Sequence, residues 1–200
     1  MKNKWKWIYN PFEFVAGWKA FGIGVVILCL TTIVGYFGSM VFYGAGAKTV
    51  PNITWGMAFS LQFLGLSVTV VVMYLGALFF AKNVRFQDIL GTVTLSKYPL
   101  LLMALLNFPI GKKMAEFGKE VMEMNVSELA NMKFTFTFSD LAPLLIFSFF
   151  SIILMIWLIT LLFNAFRVST NLKGVKCVVL FISTIFISEI ITSVLVYFLY

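Results

Sequence analysis

The residue types that enzymes use for catalysis are scarce in this sequence. There is no histidine among its 200 residues, which excludes serine–histidine hydrolysis and histidine-ligated metal sites. Asp88 and Asp140 fall on stretches assigned below to opposite membrane faces, so they cannot act as a carboxylate dyad. Cys29 and Cys177 lie in separate apolar runs and form neither a zinc site nor a disulfide framework. No Gly-rich phosphate loop of the Walker kind occurs. The expectation is a protein that is not an enzyme, with no metal and no cofactor. What remains is a pair of ionisable side chains set deep in apolar stretches. Lys97 lies inside Phe86–Phe108, FQDILGTVTLSKYPLLLMALLNF, and Glu189 lies near the middle of the last apolar run. A lysine at that depth costs about 2.5–3.5 kcal/mol on insertion scales unless something answers it. Pro99, two residues on, removes a helical donor and frees a carbonyl one turn earlier, which neighbouring helices are expected to satisfy.

The elements that must position these groups are helices crossing a bilayer. Apolar residues make up 61% of the chain and charged ones 12%, with a mean hydropathy of +0.99, far from the near-half and one-quarter of a soluble domain. Apolar runs of the roughly 20 residues that a bilayer needs occur at about 21–42, 57–81, 89–108, 141–166 and 177–200. The fold class expected is all-α: a polytopic bundle of five transmembrane helices with an N-terminal interfacial helix and an amphipathic outer-loop segment. The domain plan is an N-terminal segment, 1–20, and a membrane domain, 21–200, with its outer loop at 109–140. Asn10, Pro11 and Glu13 interrupt the start, so a cleaved signal is not expected. Gly35 and Ser39 have the small-xxx-small spacing of close helix packing.

The N-terminal segment alternates Lys2, Lys4 and Lys6 with Trp5 and Trp7 and adds Trp18, the residue types of a headgroup-layer anchor. Asn10-Pro11 predicts a turn into a short helix, with Phe12, Phe14, Val15, Trp18 and Phe21 toward the membrane. Either a docking helix or a plain positive flank fits. In the outer loop, Lys112–Met132 carries Met114, Phe117, Val121 and Met124 at helical spacing, the pattern of an amphipathic helix on the membrane surface. Lys133–Asp140, KFTFTFSD, alternates strictly and predicts an extended segment. The aromatics sit mostly in the spans, so nucleic acid is not an expected partner.

Charge placement sets the expected orientation. With the N-terminus inside, Lys2, Lys4, Lys6, Lys19, Lys82, Arg85, Arg167, Lys173 and Lys176 are inner, against Lys48, Lys112, Lys113, Lys119 and Lys133 outside. Nine against five predicts N-inside, C-outside. Spans three and five then run the same way. At 1.5 Å per residue Lys97 lies about 12 Å beyond Ile89, and Glu189 about 18 Å beyond Cys177. That offset lets them form a buried ion pair, or share a network with Tyr98, Asn107, Thr92 and Thr94. Such a pair can be a lock on helix register or a polar site for a lipid or ion, and both readings stay open.

The order of a basic aromatic flank, NPFEF, two spans, FQDILGTVTLSKYPLLL, a loop, a span, a basic turn and a span resembles bacterial members of the Yip-domain family. These are five-span relatives of the Ypt/Rab-GTPase-interacting membrane proteins. The resemblance covers nearly the whole chain. It is sharpest at Asp88, Gly91 and Thr92, followed by Lys97, Tyr98 and Pro99. It implies a non-enzymatic, membrane-organising or trafficking-related scaffold or adaptor in a bacterial cytoplasmic membrane, with membrane lipid and a membrane protein as its partners. Eukaryotic relatives interact with prenylated small GTPases and carry a long soluble region ahead of their spans. This sequence lacks that region, so a GTPase partner is not expected. The alternative function is binding or translocation of a lipid or small solute through a polar groove at Lys97 and Glu189.

Overall fold

The computed structural model describes residues 6–81, 83–123 and 138–199. In chain order these form α1 (Lys6–Tyr9), a 3-10 turn (Pro11–Glu13), α2 (Gly17–Phe37), β1 (Met40–Tyr43), β2 (Gly46–Thr49) and α3 (Trp55–Phe80). There follow α4 (Phe86–Ser96), α5 (Pro99–Asn107), α6 (Gly111–Glu123), α7 (Phe138–Thr170) and α8 (Gly174–Leu199). Among the described residues five helical units are long and apolar enough to cross a membrane: α2, α3, α4 with α5, α7 and α8. The protein is a multi-pass helical membrane protein.

The third span is the centre of the bundle. In its most apolar stretch 67% of residues are buried, against 17–33% for the other spans. The α4 half packs on α2, α7 and α3, the α5 half on α2 and α7, and α8 leans on α3. Closest approach is between α2 and α4. A Cβ on Gly24 would stand 2.7 Å from the backbone nitrogen of Leu95, so any side chain there would push the two helices apart. The outer faces of α7 and α8 expose Ile152, Ile156, Phe186 and Ile190, as apolar solvent permits.

Pro99 breaks the third span where expected, but neighbouring helices do not answer the freed carbonyl. Proline at 99 cannot donate to Leu95 O, and the Tyr98 amide does so instead at 3.3 Å, while Lys97 N donates to Thr94 O at 3.4 Å. The helix tightens through one 3-10 step and resumes with Pro99 at the first position of α5, where its missing donor matters least.

Three other expectations change. The first helix stops at Phe37, not Phe42: Gly38 caps it, Ser39 turns with φ 54°, and Met40–Tyr43 continues as a strand. Gly35 therefore faces the Met40 carbonyl and the Phe42 ring, and it does not pair with Ser39 in a helix–helix seam. Phe138–Asp140 open α7 as helix instead of ending an extended segment, while residues 133–137 and 124–132 lie outside the described residues. Phe12 does not face lipid. It is 2% exposed and packs on Ala20, Leu95, Leu161 and Ala165.

Candidate functional site

β1 and β2 are an antiparallel hairpin, Met40 opposite Thr49 through Tyr43 opposite Gly46, with Gly44-Ala45 as its loop. Gly44 has φ 59° while Ala45 stays out of the positive region, the type II′ arrangement that puts glycine first. Four strand residues span about 14 Å. Ten residues separate Gly65 from Trp55, Lys97 from Asn107 and Glu189 from Leu199, about 15 Å of helix in each case. All three meet the hairpin at its tip. A Cβ on Gly65 would overlap the Gly44 nitrogen. The hairpin thus re-enters the bundle and ends at mid-depth, where non-helical backbone survives only if protein surrounds it.

The two deep charges meet at that tip. Lys97 Nζ donates to Gly44 O at 2.7 Å, and Ala45 N donates to Glu189 Oε1 at 2.7 Å. Gly44 O and Ala45 N belong to one peptide group. Its dipole, about 3.5 D, therefore lies oxygen toward the cation and hydrogen toward the anion. Lys97 is 2% exposed and Glu189 half-buried. The direct ion pair expected from the sequence does not form: among the described residues the ion pairs within 4.0 Å are Lys6–Glu13 and Lys119–Glu123. A peptide is interposed, and each charge instead makes a charge-assisted bond to the backbone. The positive φ at Gly44 and the Glu189 carboxylate, 2.5 Å from where a Cβ would stand, both require glycine there.

The other residues expected in the network divide among separate joints. Asn107 Nδ2 donates to Gly38 O at 2.9 Å and holds the hairpin's base. Thr92 Oγ1 donates to Asp88 O at 2.7 Å and lies 2.8 Å from Ser169 Oγ, while Ser169 Oγ reaches Asp88 O at 3.2 Å, tying α4 to α7. Thr94 bonds back to Leu90 O within its own helix. Gly91 sits against the Gly17 carbonyl and Ala20, and the Asp88 carboxylate faces Gly17. Pro99 serves the helix break alone.

Tyr98 turns away from Lys97 and receives the N-terminal segment. Its hydroxyl donates to Ile8 O at 2.7 Å, Trp157 Nε1 donates to the same oxygen at 2.9 Å, and Asn164 Nδ2 donates to Tyr9 O at 2.8 Å. Ile8 and Tyr9 close the one-turn α1, so their carbonyls lack helical partners and these side chains supply them. Tyr98 is about 18 Å along the third span from Phe86. Ile8 is therefore level with the middle of the third span, and α1 packs on α7 there with Ile8 and Tyr9 exposed. Of the expected anchor residues, Lys6 pairs with Glu13 at 3.1 Å and Trp18 is 64% exposed. Lys2, Lys4 and Trp5 lie outside the described residues, as does the side chain of Trp7.

Sequence reasoning missed the hairpin and, with it, Gly44, Ala45 and Gly65. It also missed Ser169, Trp157 and Asn164. The available signal was the Gly-X pair in MVFYGAGAKT, flanked by residues able to pair as strands. Buried Gln62 was missed too, and neither end of its amide finds a partner among the described residues. Comparison with protein-family models, with curated proteins and with solved structures finds no match to this chain.

Proposed function

We propose that this protein is a non-enzymatic scaffold or adaptor of a bacterial cytoplasmic membrane, built on the Yip-type plan and presenting its loops to partner membrane proteins. The observation that carries the reading is the use of its deep charges. Lys97 and Glu189 hold the tip of the re-entrant hairpin from either side of one peptide, so both serve internal closure. The motif residues Asp88, Gly91, Thr92 and Tyr98 are likewise taken up by joints between elements. The alternative, passage of a lipid or solute between Lys97 and Glu189, requires the hairpin to withdraw, because its tip peptide occupies that path.

The test is photo-crosslinking in cells from Trp18 at one end of the bundle and Lys112 at the other. A scaffold gives discrete protein adducts at one position or both. Adducts to lipid alone at both positions refute the reading. Reconstitution with a labelled lipid or solute separates the alternative, since flux above that of protein-free vesicles favours transport. Orientation is tested by a reporter after Tyr200 that is active only outside the cytoplasm. The N-inside assignment requires it to be active.

A further inference from the structure

The turn between α7 and α8 (residues 171–173) opens onto a cleft of about 480 Å³ lined by Phe163, Arg167, Gly174, Val175, Cys177 and Val178. Its size falls within the usual 300–1,000 Å³ of small-molecule sites. The two helices meet below it, where the rings of Phe163 and Phe166 lie 5.3 and 6.1 Å from that of Phe181, and Cys177 is buried at its floor. Val175 and Val178 remain exposed along its open side. Arg167 lines the cleft and Lys173 stands in the turn beside Gly174, both exposed, and among the described residues neither has a carboxylate within 4.0 Å, whereas Lys176 projects from the opposite side of α8. Asp88 is no counter-ion for them. Its backbone is bound by Ser169, which at 3.6 residues per turn points roughly 200° around α7 from Arg167.

We propose that this cleft is a binding site for an anionic phospholipid. The phosphate rests between Arg167 and Lys173, and an acyl chain enters beside Phe163 and Val178. Charge complementarity selects the occupant. Two cations without a carboxylate partner among the described residues stand at the level where a span begins, above an apolar slot, and the bilayer supplies an amphiphile with a phosphate at that height. A basic pocket between transmembrane helices is a recognised form of headgroup site. Arginine offers the fork that matches phosphate, and the lysine adds charge that can follow it. The site is separate from the hairpin and does not depend on the scaffold reading.

The experiment reconstitutes the full chain in phosphatidylcholine vesicles containing spin-labelled phosphatidylglycerol or spin-labelled phosphatidylcholine, and measures the immobilised fraction of each. The native protein is expected to prefer phosphatidylglycerol. Each basic residue near an anionic group is worth roughly fivefold in association, so R167Q/K173Q should lower the preference by about tenfold or more, while K112Q/K113Q leaves it unchanged. Val178→Trp keeps every charge and fills the slot, and should lower the preference as well. Equal immobilisation of the two lipids by the native protein overturns the proposal, as does an R167Q/K173Q variant that keeps the preference. Full preference in Val178→Trp means diffuse surface attraction and also overturns it. Displacement of the labelled lipid by millimolar glycerol phosphate assigns the cations to free phosphate and rejects the lipid site.

Discussion

Removing either charge at the hairpin tip should cost far more than its own hydrogen bond, and removing both should cost less than the two single losses together. Lys97 Nζ and Glu189 Oε1 each lie 2.7 Å from one end of the same peptide group. With bond lengths of 1.23 and 1.33 Å for C=O and C–N, the two charged atoms are no more than about 8 Å apart. They are also farther apart than the 4.0 Å ion-pair limit. Over that range, and at an effective dielectric of about 20, their attraction is roughly 2–4 kcal/mol. Lys97→Met leaves the Gly44 carbonyl unpaired and Glu189 without its counter-charge, a loss of about 3–5 kcal/mol by analogy with broken buried pairs. Glu189→Gln keeps an acceptor for Ala45 N but strands the ammonium, and should cost about 2–4 kcal/mol. The double variant should recover about 2 kcal/mol or more of the summed loss. Reversible unfolding in mixed detergent micelles measures each stability. Reactivity of Ala45→Cys toward a membrane-impermeant maleimide reports whether the tip has left the bundle, and it should be protected in the parent and labelled with Lys97→Met. Strict additivity, with Ala45→Cys still protected beside Lys97→Met, would refute the idea that the charges cooperate through the peptide.

Other expectations follow from the same contacts. Gly44→Ala forces a side chain onto a φ of 59° and against the Glu189 carboxylate, and should lower stability by about 2 kcal/mol or more, measured by the same unfolding assay. Tyr98→Phe removes one of two donors to Ile8 O and should cost about 1 kcal/mol. Combined with Asn164→Ala it should free the N-terminal segment, seen as faster proteolytic trimming with the bundle intact. Gln62→Leu removes a buried amide with no partner among the described residues and should raise the melting temperature. A fall there would show that the amide is bonded.

The helices were legible because hydropathy and length decide them. Runs such as Trp55–Phe80 and Gly174–Leu199 are apolar on every side and too long for anything but a span. The third span also announced itself as the buried one, since Lys97 and Asn107 cannot face lipid. Hydropathy could not separate helix from strand in Met40–Tyr43, because a buried strand and the end of a buried helix are equally apolar. That single ambiguity hid the hairpin. With it goes the partner of each charge, and the sequence pairs Lys97 with Glu189 because, tyrosines aside, each is the one ionisable group deep in its span. Backbone groups carry no signature in a residue-by-residue reading, and here a backbone peptide is what both side chains bind. The same limit applied to Tyr98, Trp157 and Asn164, whose acceptors are main-chain oxygens of the N-terminal segment.

Glu189 stands on α8, the fifth span, which leaves the ribosome after the other four. Until it arrives, the Ala45 amide lacks its acceptor and Lys97 lacks a counter-charge, although the first four spans have already been made. Biogenesis must therefore hold an incomplete bundle with a loose hairpin and an ammonium without its counter-charge until the fifth span arrives. A chain truncated before Gly174 should accordingly persist as a substrate for membrane quality control.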